Sequence, residues 1–285
     1  MHPDASHLVA RPAAPADHPL VARLAPDLAT GDPPPALDRW VAVSMPSTLV
    51  FSLGGDDVAY AWYEVLRGAG YVRHVVVDAR VRGRGLGGAV MAAIAERLRA
   101  AGCARWELNV KPDNVPAIRL YERCGMRVVH PATALALEWS AANSLPDETG
   151  SFLARELAPA DDDDAEAAFH LPAGILAHNR GLPGKHLRLL VAADAPAAPL
   201  GLAVFDPGFP GAYPFRLARP GLAAHLLGDL RRLARPEHTL VNLVVEDDRP
   251  LVDHRVRHGA NVRLEILHME GPVPPAPEDS PTLVE

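Results

Sequence analysis

The sequence predicts an α/β (α+β) protein made of two tandem copies of one plan, each a mixed, mostly antiparallel sheet flanked by helices. Runs of β-branched and aromatic residues separated by glycine-rich turns indicate hairpins. Segments with helical hydrophobic spacing follow them. The same order of elements then recurs about 140 residues further along the chain. A chain of 285 residues, 48% of them hydrophobic, is long enough to bury two cores of ordinary size.

The elements of the first copy follow from alternating and helical hydrophobic patterns. In chain order they are a strand at Leu8–Arg11, helices at Asp17–Leu28 and Ala36–Val43, and strands at Thr48–Leu53, Val58–Leu66 and Tyr71–Asp78. Gly54-Gly55-Asp56-Asp57 and Arg67-Gly68-Ala69-Gly70 have the composition of hairpin turns.

A glycine-rich turn follows the strand that ends at Asp78, and a helix begins near Leu86. The turn reads Arg82-Gly83-Arg84-Gly85-Leu86-Gly87-Gly88. Glycines allow a ligand to approach the backbone closely. The amide N–H groups of the first helical turn favour an anion, and a diphosphate suits them. The spacing fits neither a Walker loop nor the dinucleotide fingerprint.

A second block completes the first copy. Trp106–Val110 has the pattern of a strand, and Lys111–Asn114 has the composition of a turn with a helix cap. Val115–Cys124 carries apolar side chains at helical spacing, Gly125 ends that helix, and Met126–Val129 returns as a strand.

These two blocks resemble the GNAT superfamily of acetyl-coenzyme A-dependent N-acetyltransferases. The resemblance rests on Arg82-x-x-Gly85-x-Gly87, followed about 30 residues later by Asn114-x-x-Ala117-x-x-Leu120-Tyr121-Glu122-x-x-Gly125-Met126. It implies acetyl-CoA as cosubstrate, with Tyr121 as general acid beside the thioester sulfur. The implied cofactor-binding residues are Val75, Val76 and Val77 for the pantetheine arm, Arg82, Gly83, Arg84, Gly85, Leu86, Gly87 and Gly88 for the pyrophosphate, and Asn114, Ala117 and Tyr121 in the second motif.

The catalytic base departs from the family pattern. The glutamates that the family often uses correspond here to Tyr71 and Asn109. His74 and Glu64 are the candidate bases, and a structural or solvated role stays open for both. An alkylamine with a pKa near ~10.4 is about one part in a thousand neutral at pH 7, so that supplying the free base costs roughly 4–5 kcal/mol. Glu107 is a third and weaker candidate.

The second half repeats the order of elements but lacks the residues of the two motifs. Arg155–Asp161 echoes Arg11–Asp17, and a helix opened by Gly221, a strand at Leu240–Glu246 and a helix at Asp248–His258 follow in the same order. The glycine turn becomes Ala218-x-x-Gly221-x-Ala223 with Pro220 inside it, which removes one amide donor. Counting back from Gly259, Arg255 stands where the first copy has Tyr121. The second copy is therefore predicted to be a degenerate GNAT-like domain.

The predicted domain organisation follows from these copies. Residues 1–139 form the acetyltransferase domain and residues 140–150 a linker. Residues 151–270 form the degenerate domain, and the proline-rich, acidic residues 271–285 are predicted to be a disordered tail.

Composition excludes several other classes of function. The net charge of −7 argues against nonspecific nucleic-acid binding. No run of about 20 apolar residues indicates a membrane span, and the first residues lack the pattern of a signal peptide, so a cytoplasmic location is expected. His254 and His258 have the spacing of helical metal ligands but no third partner, and we expect no metal site.

Three functional hypotheses remain open at this point. The favoured one is acetyl transfer from acetyl-CoA to a primary amine of a small metabolite by direct attack, in a monomer or homodimer. The tandem organisation and the presence of only two lysines also resemble mycothiol synthase, which acetylates a cysteinyl amine. The third is a non-catalytic acyl-CoA-binding regulatory module, against which the retained Tyr121 argues.

Overall fold

The computed structural model describes residues 8–146 and 148–276. The chain divides into two compact units. Within the described residues, unit 1 comprises 8–109, 114–128 and 269–276, and unit 2 comprises 110–113 and 129–268. These units differ from the predicted domains, because residues 110–113 and 129–139 of the predicted first domain pack in unit 2, whereas residues 269–276 pack in unit 1.

The elements of the first copy lie close to their predicted positions. They are β1 (Leu8–Pro12), α1 (His18–Leu24), α2 (Leu37–Val43), β2 (Thr48–Leu53), β3 (Asp56–Leu66), β4 (Ala69–Val77), α3 (Leu86–Ala100), β5 (Arg105–Val110) and α4 (Val115–Arg123). The strands are ordered β1-β2-β3-β4-β5. Every neighbouring pair is antiparallel except β4 and β5, which are parallel.

The parallel pair separates towards its carboxyl end. Pairing between β4 and β5 runs from Ala69 opposite Arg105 to Val72 opposite Leu108, whereas β4 continues to Val77. The separation begins at a bulge in β4: Trp62 of β3 faces His74, whereas the next residue, Tyr63, faces Val72, so that Arg73 lies opposite no residue of β3 in the register. The backbone of the last residues of β4 therefore has an edge that β5 does not pair.

Helices pack on this sheet through buried apolar faces. The α1 and α2 side chains Val21, Leu24 and Trp40 form one cluster with Tyr60 and Val76 of the sheet. The buried residues of α3 are spaced as an amphipathic helix requires, at Leu86, Val90, Met91, Ile94, Ala95 and Leu98. A Cβ atom at Gly70 would lie 2.4 Å from the methyl carbons of Leu98, so glycine at this position allows α3 to approach β4.

Unit 2 contains the second copy together with most of β6. Its elements are β6 (Arg127–Glu138), α5 (Trp139–Ala142), β7 (Phe152–Glu156), α6 (Asp162–Ala168), α7 (Ile175–Gly181), β8 (His186–Ala192), β9 (Ala195–Asp206), β10 (Gly211–Leu217), α8 (Ala223–Leu233), β11 (Leu240–Glu246), α9 (Arg249–Arg257) and β12 (Asn261–Pro272). The strand order is β12-β6-β11-β10-β9-β8-β7. β11 pairs antiparallel with β6 along the whole length of β11, from Leu240 opposite Glu138 to Glu246 opposite Ala132.

The two copies share details that explain the echo in the sequence. Arg11 pairs with Asp17 at 2.7 Å, and Arg155 pairs with Asp161 at 2.8 Å, each across the turn that leads into the first helix. Asn114 caps α4 by accepting from the amide of Ala117, and Asp248 caps α9 by accepting from the amide of Leu251. The predicted fold class, two tandem copies with mostly antiparallel sheets, is confirmed.

The predicted linker and tail differ from the expectation. Ala142 and Leu145 of the predicted linker are buried in the core of unit 2, as is Trp139 just before it, because apolar side chains alternate here with the polar residues that suggested a linker. The first part of the predicted tail is packed as well: β12 extends to Pro272, and the amide of Val273 donates to the carbonyl of Ala104 at 3.0 Å. Residues 277–285 of the predicted tail lie outside the described residues.

Within residues 8–146 and 148–276, no helix has both the length and the apolar composition that crossing a membrane would require.

Candidate active site

A cavity of about 800 Å³ opens where β4 and β5 separate. It is lined by the end of β4, the glycine turn, the start of α3 and one face of α4. The lining residues are Asp27, Val75, Val76, Val77, Arg82, Gly83, Gly85, Leu86, Gly87, Gly88, Asn114, Pro116, Ala117, Leu120, Tyr121, Arg123 and Cys124. All of the predicted cofactor-binding residues except Arg84 meet in this one place.

The glycine turn has a backbone conformation that favours glycine. Gly83 and Gly85 have φ angles of +78° and +77°, and Gly85 is the N-cap of α3. A Cβ atom at Gly83, Gly85 or Gly88 would meet no other atom within 4 Å, so the space beside the turn is open. The first amide N–H groups of α3 have no preceding helical carbonyl to bind. An open cradle lined by such donors fits a diphosphate.

Asp78 fixes the entry into this turn. Its carboxylate is 5% exposed, and it accepts from the backbone amide of Arg80 at 3.0 Å and from the guanidinium groups of Arg80 and Arg23 at 2.7 and 2.5 Å. These hydrogen bonds, with Arg80 the largest contributor, hold the pKa of Asp78 well below its usual range. The turn is thus anchored by a group that stays ionised at neutral pH.

Tyr121 reaches the cavity from α4. It is 8% exposed, and burial raises the pKa of its hydroxyl to about 12. The phenol therefore keeps its proton at neutral pH and is suited to donate it. Cys124, the C-cap of α4, also lines the cavity, and burial raises the pKa of its thiol.

The cavity contains two charged side chains that were not predicted from the sequence, Asp27 and Arg123. Arg82 donates through Nε to the carbonyl of Val77 at 2.8 Å and through Nη2 to the carboxylate of Asp27 at 2.5 Å. Arg123 is exposed at the same cavity. Its place three residues after Leu120, on the same helical face, could have been read from the helical period, whereas Asp27 is 55 residues from Arg82 in sequence and gave no local signal.

The two candidate bases lie outside the lining of this cavity. Glu64 is 5% exposed and is paired with Arg73 at 2.6 Å. His74 packs edge-on against Trp62, and its Nδ1 lies 3.3 Å from the hydroxyl of Tyr60. Burial, with a smaller contribution from Arg73, lowers the pKa of His74 to about 4. The assignment of either residue as the base stays a prediction.

The corresponding turn of the second copy is occupied by the chain itself. The Glu148 carboxylate accepts three hydrogen bonds from Arg219, at 2.6 to 3.1 Å. One of its oxygens lies 3.3 Å from where a Cβ atom of Gly221 would be, and its amide lies 3.4 Å from the Gly221 carbonyl. A carboxylate thus occupies the position that the first copy leaves open beside its glycine turn.

Arg255, which replaces the tyrosine, is a buried side chain. It is 0% exposed, and its Nη2 donates to the carbonyl of Pro220 at 3.1 Å and to Nδ1 of His254 at 2.6 Å. Its Nε and Nη1 have no hydrogen-bond partner among the described residues. Burial lowers the pKa of Arg255 to about 10, so this group is a structural cation and not a proton donor.

Comparison with known proteins agrees with the geometry of the first copy. Residues 22–126 match the acetyltransferase (GNAT) family model, a range that contains both the glycine turn and the second motif. Two curated relatives match a shorter stretch. The mycothiol acetyltransferase of Corynebacterium jeikeium is 47% identical over 60 residues, and that of Brachybacterium faecium is 44% identical over 54 residues. These matches cover 21% and 19% of this chain but only 17% and 16% of the relatives, so the chain spans less than a fifth of their length.

Solved structures resemble the whole chain. A GCN5-related N-acetyltransferase from Sphaerobacter thermophilus superposes with a TM-score of 0.69 at 22% identity, covering 96% of this chain and 98% of the other. A tandem GNAT protein from the clavulanic acid biosynthesis pathway superposes with a TM-score of 0.59 at 19% identity, covering 95% of this chain and all of the other (100%). These similarities show a shared fold that extends over both copies.

Proposed function

We propose that the chain, whose residues 22–126 match the GNAT acetyltransferase family, is an acyltransferase that transfers the acetyl group of acetyl-CoA to a primary amine of a small metabolite. The observation that carries the proposal is the single cavity in which the glycine turn, the unpaired edge of β4 and Tyr121 meet. The family generally uses acetyl-CoA, and the described residues fit that cosubstrate.

Each part of the cavity has a distinct task in this proposal. The amide groups at the start of α3, with Gly83 and Gly85 leaving room, hold the diphosphate. The backbone edge of Val75–Val77, which β5 does not pair, binds the pantetheine arm as an added strand would. Asn114 caps α4 and so positions that helix, from which Tyr121 reaches the cavity.

Tyr121 supplies the proton that the leaving group needs. When the amine nitrogen attacks the thioester carbonyl, a C–N bond forms, the C–S bond breaks, and the thiolate departs. A phenol whose pKa is about 12 remains protonated until that moment and can donate to the sulfur. The proton lost by the amine replaces it through solvent, which balances the reaction.

The magnitude of the pKa of His74 decides how the amine loses its proton. Transfer from an ammonium of pKa ~10.4 to an imidazole of pKa about 4 is uphill by roughly 9 kcal/mol, at 1.36 kcal/mol per pKa unit. Taking the free amine from solution at pH 7 costs only roughly 4–5 kcal/mol. We therefore propose that the amine enters the site as the free base, and that the buried His74 does not accept its proton.

A cysteinyl amine is the second candidate acceptor. It is favoured by the local identity of 47% and 44% to two mycothiol acetyltransferases. The stretch that matches these relatives covers only about a fifth of the chain. We therefore propose a primary amine of a small metabolite as the acceptor in general, and a cysteinyl amine as one specific form of it. A non-catalytic acyl-CoA-binding module remains the alternative from another class.

The test is a screen of amines for release of the coenzyme A thiol from acetyl-CoA, with cysteinyl glycosides included. We expect turnover with at least one small primary amine. The matched control is Tyr121→Phe, which keeps the ring and removes the proton donor. Binding of acetyl-CoA without turnover on any amine would instead favour the non-catalytic module, and absence of binding would overturn the proposal.

A further inference from the structure

Asp27 is the only carboxylate among the described residues that line the cavity. It lies in a short turn, Ala25–Leu28, that follows α1, and its Oδ2 accepts from Nη2 of Arg82 at 2.5 Å. We call this ion pair the clasp. It joins the segment between α1 and α2 to the first residue of the glycine turn.

The clasp places a negative charge in a cavity suited to an anion. Asp27 is 36% exposed and Arg82 is 51% exposed, so the pair is accessible to a ligand. A diphosphate brings about two negative charges to the same turn and favours the same guanidinium group. Because Arg82 is also fixed by the carbonyl of Val77 at 2.8 Å, it is the Asp27 side that can separate.

The segment that carries Asp27 is held by several contacts, among them the packing of Leu28 against the cluster around Trp40. The clasp is another, and a third is a 2.8 Å contact between Nε2 of His18 and the carbonyl of Pro35. Ala29 directly after the turn has a φ angle of +52°, in the left-handed region that alanine rarely adopts. Separation of Asp27 would remove the contact that ties this segment to the glycine turn.

We infer that Asp27 competes with the diphosphate of the cosubstrate for Arg82, so that binding opens the clasp and loosens the turn Ala25–Leu28. This inference rests on the proposed function, since it assigns the diphosphate to the glycine turn. Asp27 is then a residue that lowers cosubstrate affinity, and the segment between α1 and α2 responds to occupancy of the turn.

The test compares Asp27→Asn with Asp32→Asn by titration calorimetry with acetyl-CoA. Both variants remove one negative charge from the same segment, but Asp32 does not line the cavity. We expect Asp27→Asn to bind about five- to tenfold more tightly at low salt, with the gain shrinking as salt rises. Asp32→Asn should change the affinity by less than about twofold. S-acetylpantetheine, which lacks the diphosphate, should bind both variants and the unmodified chain equally.

Hydrogen exchange supplies an independent readout of the clasp. The amide of Ala29 donates to the carbonyl of Pro26 at 3.0 Å, and we expect it and its neighbours to exchange faster when acetyl-CoA is bound. Unchanged or weaker binding by Asp27→Asn, or slower exchange in the complex, would overturn the inference while leaving the proposed function intact. Failure of the unmodified chain to bind acetyl-CoA would overturn the proposed function instead.

Discussion

Gly85 and Gly88 lie three residues apart, yet a methyl group should change stability in opposite directions at the two positions. Gly85 has a φ angle of +77°, where alanine costs roughly 1–2 kcal/mol. Gly88 lies within the first turn of α3, where alanine stabilises a helix by roughly 0.5–1 kcal/mol relative to glycine. Neither added Cβ atom would meet another atom within 4 Å, so backbone conformation alone decides the sign.

The two variants, Gly85→Ala and Gly88→Ala, should therefore differ by roughly 1.5–3 kcal/mol in their free energy of unfolding. Urea denaturation followed by tryptophan fluorescence is the assay, because Trp40, Trp62 and Trp106 belong to unit 1 and only Trp139 belongs to unit 2. The transition that involves unit 1 should move to lower urea for the first variant and to higher urea for the second.

Equal midpoints for the two variants, or the reverse order, would refute the assignment of a left-handed conformation to Gly85. Gly83→Ala is a useful companion, because its φ angle of +78° and its open surroundings match those of Gly85. It should resemble Gly85→Ala in stability. A loss confined to Gly85 would point to a contact of that residue and not to its backbone conformation.

The remaining predictions concern binding, chemistry and the second copy. One acetyl-CoA should bind per chain, and Gly85→Asp should weaken it by steric block and like charge; calorimetry that shows two equivalent sites or unchanged affinity would contradict this. Tyr121→Phe should lower kcat about 10²-fold or more with nearly unchanged cosubstrate affinity, measured under single-turnover conditions. Because the pKa of His74 is lowered to about 4, kcat/KM should rise with pH towards the pKa of the amine, and His74→Gln should keep that profile. An inflection that is lost or shifted in the variant would assign His74 a role. Burial lowers the pKa of Arg255 to about 10, so at every pH below that value the folded state is destabilised by carrying this charge. Arg255→Met should therefore leave activity unchanged and give a free energy of unfolding that is equal or higher by up to about 2 kcal/mol, measured by urea denaturation.

The sequence predicted the first copy well because its signals are local. The glycine turn, the cap at Asn114 and the helix that carries Tyr121 each depend on residues within a few positions of one another. Local patterns of this kind determine a turn or a helix end before any tertiary contact forms. The predicted cofactor-binding residues therefore meet in one cavity, although their roles stay proposals.

What the sequence did not predict depends on contacts between distant residues. The partnership of Asp27 with Arg82 joins positions 55 residues apart and leaves no periodic pattern. β6 was expected to end near Val129 but extends to Glu138, because pairing with β11 continues its ladder. Trp139, the residue after β6, is buried in the core of unit 2, and the polar residues that follow it in the sequence gave no indication of this burial.

The second copy keeps the fold of the first, but one of its own side chains occupies the space beside the glycine turn. Its helix cap at Asp248 and its turn pair between Arg155 and Asp161 reproduce those of the first copy, and these are contacts that stabilise the fold. At the glycine turn, by contrast, Glu148 is bound by Arg219, which holds the pKa of that carboxyl below its usual value. A carboxylate that stays ionised there repels any second anion. Replacing Pro220 alone would leave this charge in place, so the loss of one amide donor is not by itself what makes the second turn unsuited to a diphosphate.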